Sequence, residues 1–384
     1  MMKLIKKPLI TISILTAIIF VVTAAGGCAK SYKKPPAFSQ EQYLILMDKA
    51  LDAIIEKCRK QPQHRLIFSA NLFFAHEVCI KNMPLETLKK YVDALKEAGV
   101  HRIDINMGLF PWLDNHQETI QKYDALIRHI RQARLQLAIN PQYSVMYHKF
   151  KEFDDWKTAA LKVYPEIVRR YQPDIFVVVH EPTVMNGRMD INVSPKKWRD
   201  FIRQAAMAVK EVSPGSRCGA GIVVALQSEW KYFDEFLTLE ELDIITFDIY
   251  AIKGLDAANK MIAQAKKQGK GVYIEETWRP AYHVPRAGKT ETLDAISAKG
   301  IGNEVFQALD AKWLETMAFY AGTWGLEAVT PFWTQTFFKY VEEGGNALGP
   351  NYNQQVIEAI NKGERTKTFE AFKTIIQQKG KIIE

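Results

Sequence analysis

The chain has 384 residues, of which 47% are hydrophobic, and a formal net charge of +8. This length suits a single large α/β domain, and the apolar fraction is sufficient for a sizeable core. No run of lysine and arginine is interleaved with aromatic residues, so the composition argues against nucleic acid as a partner.

The beginning of the chain has the layout of an export signal. Three lysines precede an uncharged stretch at 8–27 that ends in small residues before Cys28. Ala25-Gly26-Gly27-Cys28 resembles the lipobox of bacterial lipoproteins, which implies that Cys28 is lipidated. We therefore predict a lipoprotein signal peptide at 1–27, a tether at 28–37 and a lipid-anchored protein of the cell envelope, facing the periplasm or the exterior. An uncleaved membrane anchor and simple secretion are the alternatives.

Residues 38–384 are predicted to form one domain, which begins with an extra helix capped by Ser39 and Gln42. Strand and helix patterns then alternate eight times. Eight such alternations with strands of the buried, parallel type predict an α/β fold, the (β/α)8 TIM barrel, rather than a doubly wound sheet. The C-terminal segment, rich in Lys, Gln and Thr, is predicted to form a surface helix and tail. The predicted strands are Arg65–Ala70, His101–Asn106, Leu135–Asn140, Asp174–His180, Arg217–Val224, Leu242–Tyr250, Gly271–Glu276 and Glu327–Thr334.

Polar side chains follow these apolar runs at the carboxyl ends of the strands, where TIM barrels carry their sites. Any one of them, apart from the two glutamates discussed next, can be explained by structural hydrogen bonds at the barrel rim. Two acids at the ends of two strands, however, suggest glycoside hydrolysis. The strand-end residues are Asn106, Asn140, His180, Glu181, Asp248, Tyr250, Glu275, Glu276 and Trp333.

Two of these strand ends resemble motifs of the clan A (β/α)8 retaining glycoside hydrolases. His180-Glu181-Pro182 is similar to the Asn-Glu-Pro motif of the family's fourth strand, and Val272–Trp278 is similar to its seventh. The resemblance implies a retaining hydrolase of a β-linked oligo- or polysaccharide that needs no cofactor, with Glu181 as acid/base and Glu276 as nucleophile. His180 stands where the family has the asparagine that contacts the sugar 2-hydroxyl, so the substrate must be recognised differently.

The resemblance also suggests substrate contacts around these acids. It implies that Tyr250 holds the nucleophile and that Trp333 forms an aromatic floor under the cleaved sugar. Aromatic residues of the loops can stack on sugar rings, or can simply be core residues. The candidate substrate-binding residues are Asn106, Asn140, His180, Tyr250, Trp278 and Trp333; Phe110, Trp112, Tyr143, Trp230 and Tyr282 are further aromatic candidates.

Glu275 competes with Glu276 for the role of nucleophile. Strand alternation predicts that only one of two adjacent residues points into the cleft. The Glu-Thr step favours Glu276 and leaves Glu275 to face a helix or to pair with an arginine.

Two other functions have to be weighed. A metal-dependent barrel hydrolase would use His180, Glu181, Asp248 and Glu276 as ligands, but the His-x-His pair expected on the first strand is missing from 65–70, and we predict no metal. A lipoprotein that binds glycans without cleaving them, on a barrel derived from such enzymes, is the second alternative. The three cysteines beyond Cys28 argue against a disulfide scaffold; one pair is an alternative, and three buried free thiols are favoured.

Overall fold

The structure is a computed structural model that describes residues 40–141, 149–278, 284–286, 289–291, 303–340 and 350–380. Eight parallel strands close into a barrel in the order β1-β10-β7-β6-β5-β4-β3-β2, which confirms the predicted (β/α)8 TIM barrel. A short antiparallel pair, β8 and β9, lies in the connection after β7. The strands are β1 Ile67–Asn71, β2 Arg102–Asn106, β3 Gln136–Asn140, β4 Ile175–Val179, β5 Arg217–Val223, β6 Ile244–Ile249, β7 Gly271–Thr277, β8 Val284–Arg286, β9 Lys289–Glu291 and β10 Ala328–Pro331.

Helices alternate with the barrel strands and cover the outside of the barrel. In the part of the chain that the structure describes, no helix is both long and apolar enough to cross a bilayer. The helices are α1 Gln40–Arg59, α2 Glu77–Ile80, α3 Leu85–Glu97, α4 Phe110–Leu113, α5 Gln117–Gln132, α6 Phe153–Tyr171, α7 Pro182–Met189, α8 Pro195–Val212, α9 Gln227–Leu237, α10 Leu255–Lys267, α11 Asn303–Thr323, α12 Pro350–Lys362 and α13 Lys367–Lys379.

The C-terminal helix α13 is more than the predicted surface helix. Phe369, Phe372 and Ile376 recur at helical spacing and are buried. The backbone N–H of Leu66 donates to the carbonyl of Lys379 at the end of the helix. The helix therefore packs beside the start of β1 and belongs to the folded domain.

The barrel interior has an apolar layer with a charged pair beside it. Ile175 and Val177 of β4 belong to a small apolar cluster with residues of β3, β6, β7 and β10. Arg102 is buried, with its Nε 3.0 Å from Asp104 Oδ1 and its guanidinium 4.4 Å from the ring centroid of Tyr273. The interior is thus filled with side chains, and its open end is the place for a site.

The remaining predictions concern cysteines and the N-terminus. Cys58, Cys79 and Cys218 are free thiols, as predicted, although Cys79 is only partly buried. The predicted signal peptide, the tether and Cys28 lie outside the described residues, as do Tyr143 and Tyr282.

Candidate active site

The carboxyl ends of β4, β6 and β7 bring together one histidine and three acids. His180, Glu181, Asp248 and Glu276 each contribute a nitrogen or oxygen atom, and these four atoms lie within 4.8 Å of one another. Glu181 and Glu276, distant in sequence, therefore meet in one place because both follow parallel strands whose carboxyl ends share one face of the barrel.

An extra residue in β7 places both adjacent glutamates inside the barrel. Phe247 of β6 is in register with Ile274, but the next residue, Asp248, is in register with Glu276. The pairing of β7 with β10 shifts at the same point. Such a bulge breaks the alternation of side chains, so the expectation that Glu275 faces a helix or an arginine is wrong. Glu275 and Glu276 are both buried.

Glu276 is held by donors at both of its carboxylate oxygens. Asn106 Nδ2 donates to Oε1 at 3.2 Å, and the Tyr250 hydroxyl donates to Oε2 at 2.5 Å. His180 Nε2 lies 3.3 Å from Oε1. Burial alone would raise the pKa of Glu276, but the imidazole and these hydrogen bonds outweigh it and hold the pKa below the ordinary value. Glu276 is therefore an ionised carboxylate at neutral pH.

Glu181 is held at the site in a left-handed backbone conformation, with φ 49° and ψ 66°. This conformation is costly for a residue other than glycine. It is anchored on one side by the N–H of Glu181, which donates to the carbonyl of Gly221, and on the other by α7, which starts at Pro182. Burial raises the pKa of Glu181, His180 opposes this, and the charge of Glu276 adds to it. The net shift is upwards, which favours the protonated form.

The first turn of α7 is fixed by a buried acid from another helix. Glu229 of α9 accepts a hydrogen bond of 2.7 Å from the backbone N–H of Thr183, and a second from the hydroxyl of Thr183. Burial raises the pKa of Glu229 to about 8. The sequence did not single out this residue, because an acid in the first turn of a helix is ordinary at the surface.

His180 lies between carboxyl groups of β6 and β7. Its Nδ1 is 3.2 Å from Glu275 Oε2, and its Nε2 is 3.3 Å from Asp248 Oδ2. Burial would lower the pKa of His180, but the charges of Asp248, Glu275 and Glu276 hold it well above the ordinary value. Burial raises the pKa of Asp248 well above its usual range.

Gly221 of β5 makes room for this arrangement. A Cβ at this position would overlap Thr246 Oγ1 and would lie 3.1 Å from both Glu275 Oε2 and His180 Nδ1. The sequence gives little sign of this requirement, since a glycine within a strand has several explanations.

Glu275 is hydrogen-bonded on both of its oxygens. Asn140 Nδ2 donates to Oε1 at 3.2 Å, and the Thr246 hydroxyl donates to Oε2. Asn140, predicted to bind substrate, is therefore placed as a partner of Glu275.

A row of polar side chains leads from Glu276 to the aromatic residues after β10. Asn71 Nδ2 donates to Asn106 Oδ1 at 3.2 Å, and His76 Nε2 is 2.7 Å from Asn71 Oδ1. Burial lowers the pKa of His76 to about 3, so the ring is neutral. Trp333 is partly buried beside the same row, 5.2 Å from the ring of Phe73. The predicted aromatic floor is thus joined to Glu276 only through this row, and its contact with substrate stays a prediction.

Trp278, predicted to contact substrate, is fully buried. Its ring packs edge-on against Phe337 at 5.4 Å, which places it in the core, and the prediction is corrected accordingly. Phe110 and Trp112 are also buried, whereas Trp230 is exposed.

The donor atoms of the acid cluster are of the types that bind divalent cations. However, both nitrogens of His180 face carboxyl oxygens, and both oxygens of Glu276 already accept hydrogen bonds. These contacts describe an acid–base cluster in which Glu276 is hydrogen-bonded and His180 lies at ion-pair distance from the carboxyls, an arrangement suited to proton transfer and nucleophilic attack.

Comparison with known proteins shows a shared fold at low sequence identity. No known protein family matches the chain, and no curated protein matches it. GH5_18 from Streptomyces cattleya, solved in complex with GlcNAc, has a TM-score of 0.55 and 10% identity over 83% of this chain and 80% of that chain. The β-glycosidase BGL167 has a TM-score of 0.52 and 10% identity over 84% of this chain and 99% of that chain. An FMN-binding β-glucuronidase from Facaelibacterium prausnitzii L2-6 has a TM-score of 0.52 and 13% identity over 82% of this chain, which spans only 44% of that protein. The chain shares the (β/α)8 barrel of these glycosidases, and its activity has to be argued from the site.

Proposed function

We propose that this protein is a retaining glycoside hydrolase that cleaves a β-linked glycan, with Glu181 as acid/base and Glu276 as nucleophile. The observation that carries the proposal is the convergence of these two carboxyls, whose nearest atoms lie within 4.8 Å. Retaining enzymes place the two carboxyl groups roughly 5–5.5 Å apart, whereas inverting enzymes leave room for a water molecule.

The opposite pKa shifts of the two acids support these roles. The pKa of Glu276 is held low, so its carboxylate attacks the anomeric carbon. The pKa of Glu181 is raised, so its proton passes to the glycosidic oxygen as that bond breaks. In the second step the ionised Glu181 takes a proton from a water molecule. The oxygen of that water attacks the anomeric carbon, and the bond between the sugar and Glu276 breaks.

The test is a panel of aryl β-glycosides and β-linked oligosaccharides, with the configuration of the first product determined by NMR. We expect a product of retained configuration. Glu181→Gln and Glu276→Gln should each lower kcat roughly 10²–10⁴-fold or more while glycan binding persists. Glu211→Gln, a change at an exposed position of α8, is the control and should act like wild type.

Two results would contradict the proposal. Inversion at the anomeric carbon would exclude a covalent intermediate on Glu276. Glycan binding without turnover by wild type would favour the second candidate, a glycan-binding protein on a glycosidase-like barrel.

We also propose that Cys28 carries the lipid that holds this domain at a membrane of the cell envelope. The basis is the resemblance of Ala25-Gly26-Gly27-Cys28 to a lipobox. Metabolic labelling with a tagged fatty acid tests it, since labelling should be lost in Cys28→Ser and kept in Cys58→Ser.

A further inference from the structure

The protonation of His180 can be read from the contacts around it. A neutral imidazole has one N–H and one lone pair, so it can donate from only one nitrogen. Both nitrogens of His180 face carboxyl oxygens, Nδ1 at 3.2 Å from Glu275 and Nε2 at 3.3 Å from Glu276. Two N–H groups are needed unless one of these carboxyls carries a proton.

The two glutamates are acceptors at all four of their oxygens. Glu275 accepts from Asn140 and Thr246, and Glu276 accepts from Asn106 and Tyr250. The amide N–H groups of Asn140 and Asn106 can only donate, and each points at Oε1 of its glutamate. Two ionised glutamates satisfy all of these donors at once, and the ring between them is then the imidazolium.

We propose that His180 is a positioning residue: its imidazolium is anchored on Glu275 through Nδ1–H and holds the carboxylate of Glu276 through Nε2–H. Glu275 is then the counter-ion of His180 and not a second nucleophile. The proposal rests on the proposed function for its catalytic meaning, but the charge state of His180 stands on the contacts alone.

The physical role follows from the charges inside the barrel. An ionised carboxylate such as Glu276, buried without a partner, would take up a proton and lose its nucleophilicity. The cation of His180 prevents this, and Glu275 in turn keeps the cation in place. Because both ring nitrogens face carboxyl oxygens and the residue is only 5% exposed, the proposed arrangement leaves His180 no donor for a sugar hydroxyl.

The groups that face His180 come from three elements. Glu275 and Glu276 belong to β7, and Asp248 and Thr246 belong to β6. Glu181 precedes the first residue of α7, and its carboxyl lies 3.9 Å from Nε2. Burial raises the pKa of Asp248, and the charge of His180 opposes this. The carboxylates of Glu275 and Glu276 lie against the two ring nitrogens.

The first test measures the charge of His180 without any substrate. The full chain is labelled with ¹⁵N-histidine, and the His180 signals are assigned by their loss in His180→Asn. We expect both ring nitrogens to remain N–H at pH 8, where an ordinary histidine is neutral. In Glu275→Gln the imidazolium should give way to the neutral ring at a lower pH, whereas Glu211→Gln should leave the signals unchanged. A neutral His180 ring in wild type at pH 7 would overturn the proposal.

The second test separates the roles of the two glutamates with an aryl glycoside and azide. Azide is a small anion that can attack the anomeric carbon in place of a missing carboxylate, while the aryloxide leaves. Azide should restore turnover to Glu276→Ala and give a glycosyl azide of inverted configuration. It should give no rescue in Glu275→Ala. The Glu275→Gln variant should lose roughly tenfold or more in kcat/KM. The acidic limb of its pH profile of kcat/KM should move to higher pH.

The outcomes distinguish the two proposals. Azide rescue of Glu275→Ala with inversion would make Glu275 the nucleophile and overturn the inference. If wild type cleaves no glycoside, the proposed function fails, and the ¹⁵N signals alone decide whether His180 is a buried imidazolium held by Glu275.

Discussion

The Tyr250 hydroxyl lies 2.5 Å from Oε2 of Glu276, so the residue after β6 contacts the acid near the end of β7. Burial, and then the negative charge of Glu276, raise the pKa of Tyr250 well above its usual range. The phenol therefore remains a hydrogen-bond donor throughout the pH range of activity, and it stabilises the carboxylate in the free enzyme.

Tyr250→Phe removes this donor and keeps the ring. A hydrogen bond to a charged group contributes about 1.5–3 kcal/mol, so we expect kcat/KM to fall roughly 10- to 100-fold and the acidic limb of the pH profile to move upwards. The measurement is kcat/KM against pH with an aryl glycoside. Tyr320→Phe is the matched control, because its hydroxyl bonds Asn259 in the outer helices. An unchanged profile in Tyr250→Phe would show that the contact does not support the nucleophile.

The opposite shifts of Glu276 and Glu181 predict a bell-shaped dependence of kcat/KM on pH. Activity should rise as Glu276 ionises, below the ordinary pKa of a glutamate, and should fall as Glu181 loses its proton, above that value. In Glu181→Ala the alkaline limb should disappear, which can be measured with an aryl glycoside whose leaving group needs no proton. A surviving alkaline limb would assign it to another group, and Glu181 would lose its role as the acid.

The packing around Gly221 predicts a contrast between two glycines of β5. In Gly221→Ala the new methyl group meets Thr246, Glu275 and His180, so we expect a loss of about 1–3 kcal/mol in the free energy of unfolding and a large loss of activity. Gly219→Ala is the control, since its Cβ would lie 3.5 Å from Val177, an ordinary contact. Chemical denaturation and kcat measure the two effects. Equal behaviour of the two variants would mean that the cluster tolerates displacement.

The fold was predictable from the sequence because each barrel strand is a buried apolar run bounded by helical patterns. The eight predicted strands all overlap the observed ones, and most of the predicted strand ends differ from the observed ends by one or two residues. The convergence of Glu181 and Glu276 followed from the same topology. The orientation of Glu275 did not, because a bulge depends on the register with β6 and β10, which no local pattern records.

Trp278 and Glu229 show a second limit of the sequence. A tryptophan after a strand end can face a sugar or the helical shell, and only the packing against Phe337 decides between the two. Glu229 lies far from Thr183 in the chain, so its contact with the start of α7 could not be predicted without knowledge of the fold. Residues that support a site from another element leave little trace in their own neighbourhood.

Glu229 offers a prediction about stability and pH. The carboxyl has a pKa of about 8 in the folded protein and an ordinary value near 4.3 when unfolded. The folded state therefore retains a proton that the unfolded state has lost, and the stability of wild type falls as the pH rises from about 4.3 to 8. This single group accounts for a loss on the order of 4–5 kcal/mol across that window.

Glu229→Gln removes the titration but keeps an oxygen that can accept from Thr183. We expect the variant to gain stability relative to wild type as the pH is raised from 5 to 8, which urea denaturation at several pH values will measure. Glu229→Ala loses the acceptor as well, so it should be destabilised at pH 5 by about 1–2 kcal/mol, as for a lost helix cap. This variant should also have a lower kcat, because α7 no longer holds Glu181 in its left-handed conformation. Glu211→Gln should follow wild type at every pH. If the Glu229→Gln and wild-type curves run parallel, then Glu229 is ionised in the folded protein, and the buried acid is balanced by a partner rather than by a proton.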